Sequence, residues 1–280
     1  MTGDRDQMAE QDQAAFWNER AGRTWVEAQD LIDDLFRPLE ELLAEAVEAR
    51  PARRVLDVGC GTGATTVAAA RRLGEAGECT GVDVSAPMVE AAQARARKEG
   101  VGASFVLADA ATHAFEPASF DLLISRFGVM FFADPVAAFA NLRRAAGELR
   151  LLVWRSRDEN PFMTAAERAV GSLLDLPASL PGAPGQWAFA DADRVSGILA
   201  GSGWTAIEIE PVDFACTMPE SQLLSYATRL GPVGRALPSV DEETRARVTE
   251  RLRPAYDPFV EDGQVRFAAA CWSIGAWAGG

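Results

Sequence analysis

Within "RRVLDVGCGTGATT", residues 53 to 66, an acid at Asp57 precedes glycines at 59, 61 and 63. Lacking Cβ atoms, Gly59, Gly61 and Gly63 can take positive φ and let a ligand approach the backbone closely. About 20 residues further on, "GVDVS" carries a second acid, Asp83, where a carboxylate can accept hydrogen bonds from two vicinal ribose hydroxyls. The combination points to a nucleoside-containing ligand. "GCGTGA" even satisfies the degenerate dinucleotide fingerprint. Two features oppose a pyrophosphate: Asp57 would set a negative charge beside it, and Gly63 flattens the loop where a phosphate-binding helix would begin. An ammonium or a sulfonium is better served by Asp57.

The elements that must position these residues follow from periodicity. "DLIDDLFRPLEELLAEAVEAR" spaces leucines for two short amphipathic helices interrupted at Pro38. "RRVLDVG" then starts a strand with a continuously apolar interior, as expected where helices cover both faces. "ATTVAAARRLGE" reads as helix, "ECTGVDVS" as strand, "APMVEAAQARARKEG" as helix and "ASFVLADA" as strand. "ASFDLLISRF" (strand), "DPVAAFANLRRAAG" (helix) and "ELRLLVWRS" (strand) continue the alternation. Such alternation implies right-handed βαβ crossovers and an open, mostly parallel sheet with helices on both faces.

Beyond Arg157 the pattern loosens. We expect six regions: N-terminal helices over 1–50, a ligand-binding core over 51–157, an irregular lid insertion over 158–190, a core helix and strand over 191–216, a helical cap over 217–262, and a final core strand over 263–280. The last strand arrives after a helical excursion, which places that excursion above one end of the sheet.

Composition narrows the partners. Of 280 residues, 48% are hydrophobic, enough for one large α/β domain or a main domain with a smaller cap. Acids outnumber Lys and Arg by 41 to 27, and no basic block could track a phosphate backbone, so a nucleic-acid partner is not expected. The opening residues lack the features of a signal peptide, and no apolar run reaches the roughly 18 residues needed to span a bilayer. A cytoplasmic protein is the expectation. Cys60, Cys79, Cys216 and Cys271 form no CxxC pair, so neither a disulfide framework nor a zinc or other metal site is expected. Cys60, inside the glycine loop, is either a reactive thiol or a small residue filling a tight turn.

"VLDVGCGTG", "GVDVS", "VLADA", "FDLLISRFGVMFF" and "LRLLVWRS", in this order and spacing, resemble the successive motifs of class I S-adenosylmethionine-dependent methyltransferases, closest in style to the ubiquinone and menaquinone biosynthesis type. The resemblance is good over about residues 50 to 157 and looser elsewhere. It implies a seven-stranded Rossmann-like sheet whose last strand is antiparallel, with S-adenosylmethionine as methyl donor. It places Asp57, Gly59, Gly61, Thr62 and Gly63 against the methionine part and Asp83 on the ribose, with Val84 beside it. Met88 would pack on the adenine, Asp109 and the backbone of Ala110 would meet its edge, and Ser125 would face the methionine ammonium. Trp25 belongs to an N-terminal stretch that the family often folds across the cofactor. Met88 has a second reading as core, and Thr62 and Ser125 as loop caps. The family's usual Pro-Gly-Gly turn before the fifth strand is reduced to Gly147.

Methyl transfer from a sulfonium is an in-line displacement that needs alignment in a dry pocket more than a catalytic triad. A general base would still help with a hydroxyl or acidic carbon. His113, the single histidine, is either that base or a hydrogen-bonded structural residue. Arg126 could hold a carboxylate or enolate of the acceptor, or pair with a neighbouring acid. Trp17, Trp25, Phe127, Phe131, Phe132, Trp154 and Trp187 lie in segments that could close over the site. The expected acceptor is a small organic molecule, aromatic, quinol-like or a natural product, and the chain is a monomer or homodimer. The rival readings are an NAD(P)-dependent oxidoreductase and an S-adenosylmethionine-binding protein without methyl transfer.

Overall fold

A computed structural model describes residues 15–176, 180 and 182–279; residues 1–14 of the expected N-terminal region, four residues of the 158–190 insertion and the last residue of the final-strand region lie outside the described residues. Strands β1 (Arg54–Val58), β2 (Glu78–Asp83), β3 (Ala103–Leu107), β4 (Phe120–Arg126) and β5 (Ala146–Trp154) run parallel. With β6 (Thr205–Pro219) and β8 (Gln264–Trp277) they form the order β3-β2-β1-β4-β5-β8-β6. Only β8 opposes its neighbours along this path. An eighth strand, the two-residue β7 (Val260–Glu261), pairs with β8 alone. The central strands are buried along most of their length, which is why they read as unbroken apolar runs.

Helices α1 (Arg20–Glu27), α2 (Gln29–Leu35) and α3 (Arg37–Glu48) precede the sheet. Pro38 sits in the first turn of α3, where its missing N–H costs nothing, so it separates two helices instead of kinking one. Leu35, Leu39 and Leu43 are buried against the sheet. The crossovers α4 (Ala64–Leu73), α5 (Ala86–Glu99) and α6 (Pro135–Ala145) link the parallel strands. α6 passes into β5 without an intervening residue, because Ala146 is already extended.

Between residues 158 and 190 the chain is more regular than composition suggests, since α7 (Pro161–Val170) is an ordered helix. The Pro and Gly signal belongs only to the residues beyond that helix. After α8 (Ala192–Gly201), β6 runs three residues beyond the expected limit of the core strand at 216. The remaining helices are α9 (Leu223–Arg229), α10 (Gly231–Ala236) and α11 (Glu242–Ala255).

Pairing of β5 with β8 ends at Trp154 opposite Cys271, whereas β6 and β8 stay paired out to Pro219 and Gln264. Half of β8 therefore runs on past the carboxyl end of β5, the side where the glycine loop lies. Asn160, fully buried, secures this ribbon: its Nδ2 donates to Ala270 O at 3.0 Å and its Oδ1 accepts from Ala270 N at 2.9 Å. Phe162 of α7 stacks on Phe267 of β8 with centroids 3.8 Å apart, and Tyr226, Tyr256 and Phe259 close around it. The cap thus has its own aromatic core, built on a sheet extension. Among the described residues no helix is long and apolar enough to cross a membrane.

Candidate active site

The glycine loop follows β1 at the carboxyl edge of the sheet. Gly59 N and Cys60 N both donate to Val82 O, at 2.9 and 3.1 Å, which turns the chain back over β2. Gly59 has φ of +69°, and a Cβ there would lie 2.5 Å from Gly128 Cα, so the loop and the turn after β4 meet backbone to backbone. Such contact is open only to glycine at both positions. Gly63 caps α4 at φ +82°. Thr62 is buried inside the loop. Cys60 is also buried, and burial pushes its thiol well above the ordinary range, so it fills the turn and is not a reactive thiolate.

Asp83 ends β2 and faces the loop: Oδ2 accepts from Gly61 N and Oδ1 from Ser85 N, each at 2.9 Å. Burial raises its pKa, while the amides of Ser85, Gly61 and Val84 pull it back. Met88 is buried one turn into α5, its sulfur within van der Waals reach of the position a Gly61 Cβ would take. It supports the loop from behind.

Asp57 is 1% exposed. Its Oδ2 accepts from the Thr66 hydroxyl at 2.7 Å, but Oδ1 is buried without a hydrogen-bond partner among the described residues. Burial lifts its pKa to about 7, opposed by the Thr66 bond and by Arg126, and assisted by Asp83 and Glu40. A buried carboxylate with an orphaned oxygen is costly unless a donor meets it.

Ser125 is buried at the end of β4 and donates through Oγ to Val58 O at 2.7 Å, tying β4 to the loop. Phe127 holds φ of +68°, a strained state for an aromatic residue. It is kept there by donation of its N–H to Leu152 O and by stacking on Trp154 at 4.4 Å. Trp187 lies 6.4 Å from Trp154, and Arg157 stands over the Trp187 ring.

The N-terminal residues pack over the turn after β2. Asn18 Nδ2 donates to Val84 O and Asn18 Oδ1 accepts from Ala86 N, both at 2.8 Å, while Ser85 Oγ donates to Trp17 O. Trp17 packs edge-on against Trp25 and Phe131.

The expected residues divide into two groups. Asp57, the loop glycines, Asp83, Val84 and Ser125 meet at one edge, with Trp25 reaching them through Trp17. Asp109 and Ala110 lie in the turn after β3, where Asp109 Oδ1 accepts from Ala111 N and Ala110 O accepts from Asn141. His113 stays beside them through its backbone, its N–H donating to Asp109 O at 2.8 Å, while its ring turns away. Its carbonyl accepts from Asn141, and its ring meets Phe115, which in turn meets Phe120. Phe120 begins β4 and Arg126 ends it, so the structure does not bring His113 and Arg126 together.

Sequence reasoning missed Glu40, Asn18 and Asn160. Glu40 sits among the acids of "RPLEELL" and looks like a solvent-facing residue of an amphipathic helix. Yet it is half-buried, and burial raises its pKa against the pull of Arg126.

An open parallel sheet in this order, with a glycine loop and two acids at its carboxyl edge, defines the Rossmann-like architecture of class I methyltransferases. Residues 55–147 match the family described as a methyltransferase domain. Over 122 residues the chain is 38% identical to nocamycin O-methyltransferase of Saccharothrix syringae, covering 42% of this chain and 44% of that one. Over 108 residues it is 36% identical to the aklanonic acid methyltransferase DauC of Streptomyces sp. strain C5, covering 38% and 49%. The chain thus spans about half the length of these curated relatives. The crystal structure of YcgJ from Bacillus subtilis shares the fold, with a TM-score of 0.56, 19% identity, and coverage of 85% and 97%.

Proposed function

We propose that the protein is an S-adenosylmethionine-dependent methyltransferase acting on a small organic acceptor. The observation that carries this reading is the buried Asp57 oxygen without a partner, beside a loop whose backbone approaches Gly128 and Asp83. Asp57 at the bare loop suits a cationic adenosyl ligand and would repel a pyrophosphate, which favours this reading over an NAD(P) one. S-adenosylmethionine supplies a methyl group on a positively charged sulfur. Asp83 would hold the ribose, Val84 and Asp109 the adenine side, and Gly59, Gly61, Ser125 and Asp57 the methionine side. The N-terminal region over 1–50 would close across the donor.

The regions over 158–190 and 217–262 would shape the acceptor pocket. Phe127 and Trp187 offer flat faces near the strand ends, which favours a planar acceptor. The names of the relatives, nocamycin O-methyltransferase and aklanonic acid methyltransferase, support a natural-product acceptor. Water exclusion and alignment by these walls would supply most of the rate enhancement. The four cysteines are free and buried, in keeping with a reducing cytoplasm.

Calorimetric titration with S-adenosylhomocysteine and with NAD tests the donor; binding of NAD alone would reject the reading. Incubation with methyl-labelled donor and a panel of phenols, quinols, keto acids and amines tests transfer. Binding without transfer to any of them would favour a non-methylating role.

A further inference from the structure

The turn after β3 is braced from outside at one point. Ala108 N donates to Asp83 O at 3.0 Å, which fastens the start of the turn to the end of β2. Thr112 N and His113 N fold back onto Asp109 O at 3.2 and 2.8 Å, while Asp109 Oδ1 accepts from Ala111 N at 2.9 Å. Oδ2 of Asp109 and the N–H of Ala110 have no hydrogen-bond partner among the described residues. A free acceptor followed by a free donor on adjacent residues matches the amino group and N1 of adenine.

The brace is Asn141 of α6. Its Nδ2 donates to Ala110 O at 3.2 Å and to His113 O at 2.9 Å, and its Oδ1 accepts from Arg144. Among the described residues no other side chain from another element hydrogen-bonds this turn. Both amide hydrogens and the amide oxygen are committed, so the side chain is held in one orientation. The clamp grips Ala110 and His113, on either side of the segment closed by the bond from His113 N to Asp109 O. A shift of Asp109 or Ala110 would therefore break it at one end or the other. We propose that Asn141 is a positioning residue for base recognition: it acts through Asp109 and Ala110, without contact to the donor, and sets the preference of the donor pocket for adenine. This role rests on the donor reading above and on the place of Asp109 in it.

Calorimetry with two product analogues tests the role and needs no acceptor. S-adenosylhomocysteine presents an amino group and an unprotonated N1; S-inosylhomocysteine presents a carbonyl and a protonated N1 at the same two positions and is otherwise identical. The wild type should bind the adenosyl compound at least about thirtyfold more tightly. Asn141→Ala should weaken S-adenosylhomocysteine about threefold to tenfold and leave S-inosylhomocysteine within about twofold, so that the preference shrinks. Circular dichroism checks folding, and Asn141→Ser, with the same selective loss expected, stands in should Asn141→Ala fail to fold. Equal losses for both compounds, as a general loosening of the fold would give, or an unchanged preference, would overturn the role of Asn141. Asp109→Ala should remove most of the preference; a preference that survives it would overturn the place of Asp109 at the base, and the proposal with it. Failure of the wild-type protein to bind either compound would instead overturn the donor reading.

Discussion

The Thr66 hydroxyl donates to Oδ2 of Asp57 at 2.7 Å, while Oδ1 of the same carboxylate is buried and unpaired among the described residues. One oxygen is thus committed to the fold, and the other is left without a donor among the described residues. The arrangement has a pH signature. Burial raises Asp57 from an ordinary 3.8 to about 7, so between those values the folded protein keeps a proton that the unfolded chain has released. Stability from this group falls as pH rises through that window and is level above it. Glu40 and Asp83 are raised as well and carry the same sign. Asp57→Asn should therefore shrink the loss of urea midpoint between about pH 5 and about pH 8 without abolishing it. In the wild type, affinity for S-adenosylhomocysteine should rise over the same range, because its ammonium prefers the ionised carboxylate; in Asp57→Asn it should be weak and flat. A slope identical in the two proteins would refute the assignment.

Asp83 holds both the loop and, on the proposed reading, a ribose. Replacement by alanine would also orphan the amides of Gly61 and Ser85, so Asp83→Asn, which keeps one acceptor oxygen, is the cleaner variant. It should lower affinity for S-adenosylhomocysteine by about tenfold to a hundredfold, measured by calorimetry, with a melting temperature shifted by only a few degrees.

Gly59→Ala places a methyl group 2.5 Å from Gly128 Cα at a φ of +69°. The Gly59 backbone cannot withdraw without breaking the bonds to Val82 O. The expected cost is about 3 kcal/mol in urea unfolding, from overpacking and left-handed strain together. Gly74→Ala, at φ +59° with nothing within 4 Å of the added carbon, isolates the strain and should cost about 1 kcal/mol.

Asn160→Ala removes a side chain bonded to both backbone groups of Ala270 and strands its buried N–H, while the carbonyl keeps its bond from Arg155 N. A loss of about 2 to 3 kcal/mol is expected. Amide exchange should quicken in residues 264 to 270 and in α7, and stay unchanged in β1 and β4. Uniform loss of protection would mean that the ribbon and the cap do not open as a local unit.

Asn18→Ala removes two hydrogen bonds that fasten the N-terminal residues to Val84 and Ala86. If that segment closes over the donor, dissociation of S-adenosylhomocysteine in stopped flow should quicken about threefold to tenfold. An unchanged off-rate would separate the N-terminal residues from donor retention.

The class of fold and the glycine-loop edge were legible in the chain because they depend on local rules. Apolar strands alternating with amphipathic helices leave few topologies, and glycines that need positive φ, followed by Asp83, mark one edge of that sheet. The sequence by itself also placed Asp57 correctly beside the loop, since the residue lies two positions before Gly59. It did not reveal that one Asp57 oxygen is spent on Thr66, nor that Glu40, 17 residues before Asp57 in the chain, shares the field of Arg126. Those facts arise from which helix covers which face of the sheet. The packing of α3 over Arg126, the turning of the His113 ring toward Phe115, and the ribbon that carries the cap were likewise decided by tertiary structure alone. Periodicity records which residues are buried; only the packed chain records beside what, because contacts between distant segments leave no spacing in the sequence.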